Sequence, residues 1–324
     1  MPSPEDPAPP SLVRRLTPWV VGLAILGWLF HLVPRAAFAQ AIAGVSVGRV
    51  VAVIVVGNVV GLLLDAVSIG VLLRPALPSV RIPFWDVVRI RGTTYLLGIV
   101  NYGAGQGGIA WYLVRRYGVP TPEAVGAVML VAFVSLAVVA LAAAAGVMVG
   151  GTPAHPALRL CVLGMAAIFP GYLAVLAIGP AAARKLAILR PVMDVGLRGN
   201  LLGVAARLPQ LLVMLAMHAI VMHLFGVRPS VTAVLTLLPL VFFVGVVPVS
   251  PFGLGTAQAT AVLLFAPFST AATEDTRQAA VLGYSLATQM VALLVQALLG
   301  VGCWLWLRAT AGSLPRPKTL SDEP

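Results

Sequence analysis

Charge is what this sequence has least of: 10% of its 324 residues are Asp, Glu, Lys or Arg, and the acids number ten. A water-soluble domain of that length must cover far more of its surface with ionised groups, so an ordinary soluble fold is excluded. Cysteine is equally sparse. Cys161 and Cys303 each fall inside an apolar run without ligand spacing, which excludes a disulfide framework and a cysteine metal site. Acids are not clustered, and no nucleophile stands with a base at motif spacing. The expectation is therefore a protein that is not an enzyme, with no cofactor and no metal. Hydrophobic residues, by contrast, make up 60% of the chain, and the mean hydropathy is +1.01.

Runs at 17–33, 50–73, 124–149, 158–178, 208–227 and 281–307 are long enough to cross a hydrocarbon core of about 30 Å, which takes roughly 20 helical residues. Between Arg228 and Glu274 lies a further charge-free tract, too long for one simple span. Backbone groups in lipid must be paired internally, and these continuous runs lack the alternation of a barrel strand, so helices are required. Residues 1–16, rich in proline and acid, are expected to be a disordered cytoplasmic tail, 17–308 a single transmembrane domain, and 309–324 a second cytoplasmic tail. Pro34, Arg35 and "AAFAQA" imitate a signal-peptide cleavage site, but further spans follow, and an anchored first helix is the expectation.

The net charge of +11 sits in loops beside spans, where it reads as the positive-inside bias and attraction to anionic lipid rather than as a nucleic-acid surface. Arg14 and Arg15, then Arg74, Arg81, Arg89 and Arg91, place the N-terminus and the second loop in the cytoplasm. Arg184, Lys185, Arg190 and Arg198 mark another cytoplasmic loop, and Arg308, Arg316 and Lys318 a cytoplasmic C-terminus. The acidic "TEDT" at 273–276 belongs outside. A multi-pass protein of the cell (inner) membrane with both termini cytoplasmic is expected.

Two stretches interrupt the hydrophobic pattern with glycines and a glutamine, "NYGAGQGG" at 101–108 and "SPFGLGTAQ" at 250–258. Arg91 precedes the first and Arg115 and Arg116 follow it, so both flanks belong in the cytoplasm although the chain between them suffices for only about one crossing. The segment must enter, turn and return. The second break has the same form on the opposite side. The expected architecture is an all-α polytopic membrane protein of about six full spans plus two Gly-interrupted re-entrant hairpins, arranged as an inverted-topology repeat with halves at about 17–149 and 158–308. Glycines that merely let helices approach closely are the alternative at each break.

These residues resemble a known family, the membrane region of the lysylphosphatidylglycerol synthases and its stand-alone flippase-like relatives. "PVSPFGLGTAQ" at 248–258 is similar to the family's Pro-x-Ser/Thr-Pro-Gly-Gly-Leu-Gly-x-x-Glu, and "NYGAGQGGIAWYLVRRYGVPTPEAVGAVMLV" at 101–131 to its Asn, Gly-Glu, Arg-rich turn and helix. The resemblance carries over Pro248, Ser250, Pro251, Gly253, Leu254 and Gly255, with Asn101, Gly105, Arg115 and Arg116. Gln106 and Gln258 stand where the family usually has glutamate, and Phe252 where it usually has glycine. In those synthases the membrane region is thought to move an aminoacylated lipid between leaflets while a separate C-terminal soluble domain makes it. The sequence ends soon after the last span, so the resemblance implies handling of a lipid or lipid-linked substrate without its synthesis.

An interrupted helix exposes N–H groups that suit an anion, and glycines let a headgroup approach the backbone. Gly105–Gly108 and Gly253–Gly255 are each expected to open such a half-helix. The candidate substrate-binding residues are Asn101, Gly105, Gln106, Gly107, Arg115, Arg116, Ser250, Pro251, Gly253, Gly255, Gln258 and Asp65. The glutamines either contact the substrate as uncharged amides or cap the broken backbone. Asp65, the one acid well inside a span, shares a helical stripe with Asn58, Gly61 and Ser68, and is either functional or a structural ion pair, with Arg207 as a counterion. His218 and His223 lie about 140° apart around a helix, which excludes a shared metal and favours a satisfied buried histidine. Ser285, Gln289, Gln296 and Gly300 form a polar seam of the helix-glue kind, and Trp304 and Trp306 suit the membrane interface. Arg89, Arg91, Arg115 and Arg116 either gather anionic headgroups at the hairpin mouth or simply fix topology.

The function these features favour is a flippase-like translocator whose partners are membrane lipids, anionic phospholipid or polyprenyl-phosphate-linked, with the headgroup at the two broken helices near the midplane. The alternative is a non-catalytic partner subunit of a separately encoded synthase or glycosyltransferase.

Overall fold

The computed structural model describes residues 34–98, 102–149, 156–178, 185–246 and 253–310, with isolated positions between 23 and 31. Nearly all of the expected first span at 17–33, the tail at 1–16 and residues 311–324 lie outside the described residues, as do Arg184, Asn101, Pro248, Ser250, Pro251 and Phe252.

The described chain is helical from end to end. In order come α1 (Arg35–Ala43), α2 (Val47–Ala76), α3 (Phe84–Gly98), α4 (Tyr102–Tyr117), α5 (Thr121–Val149), α6 (Pro156–Ile178), α7 (Arg190–Leu224), α8 (Val231–Val246), α9 (Thr256–Phe265) and α10 (Glu274–Thr310). Five helices are long and apolar enough to cross a membrane, within α2, α5, α6, α7 and α10, which matches the expected spans beyond the first. Large apolar side chains on their outer faces, such as Leu160, Ile178, Leu212 and Leu298, are exposed, as lipid-facing positions must be. α7 starts well before the expected 208, because Asp194, Arg198 and Arg207 hide its first turns from a hydropathy reading. Gly196, at φ 59° and ψ −173°, breaks it locally, a conformation that glycine tolerates without a Cβ penalty. α10 starts at Glu274, where Glu274 and Asp275 complement the helix dipole and Thr273 and Thr276 exchange capping hydrogen bonds of 3.2 and 3.3 Å.

α3, α4, α8 and α9 have 15, 16, 16 and 10 residues. At 1.5 Å per residue none exceeds about 24 Å, so no single arm spans the hydrocarbon core. They pack as two hairpins, α3 on α4 and α8 on α9. The first hairpin corrects one expectation. α4 begins at Tyr102, so Gly105–Gly108 lie within its first two turns rather than opening it.

The long helices cross-brace these hairpins. α2 and α7 run antiparallel over their length: Gly57 meets Met217, Asp65 meets Arg207, and Leu72 meets Gly203. α3 lies along α10, with Arg89 against Trp306 and Leu96 against Gly300, while α8 lies along α5, where a Cβ on Gly146 would strike the Thr236 backbone. Each hairpin's first arm therefore rests on a long helix from the other half of the chain. Close approach through small residues supplies the van der Waals contact that replaces hydrophobic driving force inside lipid. One apolar core joins α2 to α3, α4 and α5, and a second joins α2 to α7, α8, α9 and α10.

Candidate functional site

Asp65, in the middle of α2, is a buried carboxylate, 1% exposed. An ionised carboxylate there is costly unless paired. Arg91 of α3 donates Nε–H to Oδ2 at 2.6 Å, and Arg207 of α7 donates Nη1–H to Oδ1. Arg207 Nη1 also donates to Ser68 Oγ at 2.6 Å, and Ser68 in turn donates to the Asp65 carbonyl at 2.9 Å. The Arg91 guanidinium stands 5.2 Å from the Tyr95 ring. Two guanidinium groups share one carboxylate. The ion pair of Asp65 with Arg207, one of the two readings left by the sequence, is present. Arg91, expected at the hairpin mouth, is the member that sequence reasoning missed, and no spacing signal links it to Asp65.

The stripe of Asn58, Gly61, Asp65 and Ser68 does face inward. Asn58 donates to the Ile54 carbonyl at 2.8 Å and accepts from Gln296 Nε2 at 3.1 Å, so the α10 seam fastens α2 as glue. His218 Nδ1 lies 2.8 Å from the Tyr284 hydroxyl, a satisfied histidine.

At the first break, glycine serves packing. A Cβ on Gly105 would sit 3.2 Å from Gly98 Cα and from the Thr94 carbonyl, and one on Gly108 would meet Leu97 at 2.7 Å. Gly107 faces open space. Gln106 is half-buried, and its Oε1 has no hydrogen-bond partner among the described residues. Arg115 is exposed, whereas Arg116 is half-buried with Nη2 likewise unpartnered. Below them Asp86, absent from the sequence candidates, is buried and accepts from Arg89 Nη1 at 2.7 Å and from the Tyr117 hydroxyl at 2.6 Å. The i,i+3 spacing of Asp86 and Arg89 was the available signal.

At the second break the backbone itself is special. Gly253 has φ 66° and Gly255 φ 90°, both in the left-handed region, and a Cβ on Gly253 would come within 2.6 Å of Gly245 Cα. Gln258, fully buried, accepts the Gly255 N–H at 2.6 Å and donates to Gln289 at 3.2 Å. This is the capping reading of the glutamine. Among the described residues the hairpins share no broad contact. Both lean on α5 and α10. Among the described residues no group of three His, Cys, Asp or Glu side chains could hold a metal ion.

Short interrupted hairpins braced by antiparallel spans, with an ion cluster held inside, define an all-α polytopic membrane protein rather than a soluble one. The chain belongs to the family described as the lysylphosphatidylglycerol synthase TM region, whose family model matches residues 16–300. Membership ties it to membrane-lipid metabolism or transport. Comparisons with curated proteins and with solved structures returned no match.

Proposed function

We propose that the protein moves a lipid or lipid-linked substrate between leaflets and binds its anionic headgroup inside the helix bundle. The observation that carries this reading is the Asp65–Arg91–Arg207 cluster, in which two guanidinium groups share a buried carboxylate where α2, α3 and α7 converge. Ionisable groups at such depth are costly and mark functional sites, and the planar guanidinium fork matches the oxygens of a phosphate. Arg115, Arg116, Gln106 and Gly107 on α4 would lead the headgroup inward together with Asn101. Ser250, Pro251, Gly253 and Gly255 would form the matching approach at the second break, with the buried Gln258 holding the Gly255 turn in place.

The helix order supports an inverted repeat: α2, the α3/α4 hairpin and α5 correspond to α7, the α8/α9 hairpin and α10. The contact of α3 with α10 has its counterpart in that of α8 with α5. Two such halves rocking about the α2–α7 axis would open the cluster to each leaflet in turn. In this reading both termini lie in the cytoplasm. Gln106 and Gln258, uncharged at physiological pH, carry no proton, so movement would not be proton-coupled through these two positions.

The test is movement of a fluorescent anionic phospholipid across reconstituted vesicles. Arg91→Gln and Arg207→Gln should each slow it at least about tenfold, about 1.4 kcal/mol. Rates equal to the unaltered protein in both folded variants, or no movement above protein-free vesicles for the unaltered protein, overturn the proposal. In the second case, co-purification with a lipid-modifying enzyme would favour the partner-subunit role.

A further inference from the structure

Among the described residues four buried side-chain polar atoms have no hydrogen-bond partner: Arg89 Nε, Thr93 Oγ1, Gln106 Oε1 and Arg116 Nη2. All four lie on α3 or α4, and none on the second hairpin, whose buried amide Gln258 is met by both Gly255 and Gln289. A buried donor or acceptor left unpaired costs about 1–3 kcal/mol, so the first hairpin is built short of partners that a polar guest can supply.

Two of the four are guanidinium nitrogens, and they occur at the open end of the hairpin, where α3 begins and α4 ends. There Tyr117 donates to Asp86 Oδ2 at 2.6 Å and Arg89 donates to Oδ1 at 2.7 Å, so each carboxylate oxygen already has a donor. Tyr112 has Asp86, Arg89 and Arg116 as charged neighbours, which brings Arg116 to the same spot. Arg89 is paired with Asp86, whereas Arg116 belongs to none of the ion pairs among the described residues. The half-buried Arg116 is therefore the cation here without a counter-charge. Trp306 stacks 4.2 Å from the Arg89 guanidinium and, with Asp86, fixes its position beside it.

We propose that this end of the hairpin is a phosphate-binding subsite, in which Arg116, assisted by Arg89, takes the phosphate of a phospholipid headgroup on its way to Asp65. A phosphate brings the charge that Arg116 lacks and acceptors for the unpaired N–H groups, and its oxygens match the guanidinium fork. Arg89 and Arg91 are two residues apart, about 200° around α3, so one face of that helix meets the subsite and the other meets the Asp65 cluster. The inference deepens the translocator reading and rests on it for the lipid, while the phosphate is argued from Arg116 itself.

The full chain is reconstituted in bilayer discs of phosphatidylcholine containing a trace of phosphatidylethanolamine whose amine is acylated by a diazirine, which leaves the phosphate as its only charge. Cross-linked peptides are mapped after illumination. Adducts should concentrate at 84–89 and 112–117, and Arg116→Gln should reduce them at least about tenfold, the worth of one charge-assisted hydrogen bond. Arg89→Gln serves in its place if Arg116→Gln does not fold. Arg81→Gln removes an exposed charge just before α3 and should change labelling less than about twofold. A neutral diacylglycerol carrying the same diazirine should label these segments weakly. Equal labelling by the two probes, or equal loss in Arg81→Gln and Arg116→Gln, overturns the proposal. Competition by glycerol 3-phosphate at concentrations equal to the lipid's would assign the subsite to a free phosphate ester and overturn its place in lipid handling. Arg116-dependent labelling by a protein that moves no lipid counts against the translocator alone. Lipid movement with labelling indifferent to Arg116 counts against the subsite alone.

Discussion

The side-chain oxygen of Gln258 accepts the N–H of Gly255 at 2.6 Å, so a residue at a position where the family usually carries glutamate closes the first turn of its own helix. Glycine at 255 cannot cap that turn itself, and the amide reaches back from the third helical position to do so. Gln258→Ala should leave a buried donor unmade and lower stability by about 1–3 kcal/mol. Chemical unfolding in detergent measures it, and a loss well under 0.5 kcal/mol would show that the cap is dispensable.

Asp65→Asn keeps the shape of the side chain but removes the carboxylate charge that Arg91 and Arg207 share. Removing one partner of a buried ion pair costs about 3–5 kcal/mol, so this variant should be among the least stable single substitutions in the chain. Adding Arg207→Gln should recover part of the loss. A double-mutant cycle on unfolding free energies measures the coupling, and additive losses would mean that the two side chains act independently.

Gly105→Ala and Gly107→Ala, two residues apart on one helix, should have opposite effects. The first places a methyl 3.2 Å from backbone atoms of α3 and should cost about 1–3 kcal/mol. The second meets open space and should be neutral or stabilising by up to about 1 kcal/mol. Equal effects would contradict the α3–α4 packing.

Orientation is open to single-cysteine labelling in a background with Cys161→Ala and Cys303→Ala. Ser79→Cys, exposed between α2 and α3, should react with an impermeant maleimide only after the membrane is opened, and Ala272→Cys, exposed before α10, should react in intact cells. The reverse pattern would invert the topology.

Much of the fold was legible because lipid imposes simple demands. Hydropathy located α2, α5, α6, α7 and α10, and arginines flanking a stretch too short to cross twice located the first hairpin. The boundaries that went astray did so where polar residues continue a helix beyond its greasy part, as at Arg190–Arg207, or where a helix starts on residues that look like a turn, as at Tyr102. The site was less legible. Asp65 stood out as a lone acid, but its two guanidinium partners come from helices distant in sequence, and only folding brings Arg91 to it. The glycines of the first break looked like a headgroup cradle, and at Gly105 and Gly108 they are the contact surface of two helices.

The resting place of α3 on α10 also dictates an order of events. α3 begins at Phe84 and the helix it lies against begins at Glu274. At ribosomal speeds of about 5–20 residues per second the interval is on the order of ten seconds or more. Arg207, too, arrives long after the carboxylate it neutralises. Throughout that wait the nascent hairpin must be sheltered by the insertion machinery or lie in the headgroup layer, and it can settle only when the last helix has been delivered.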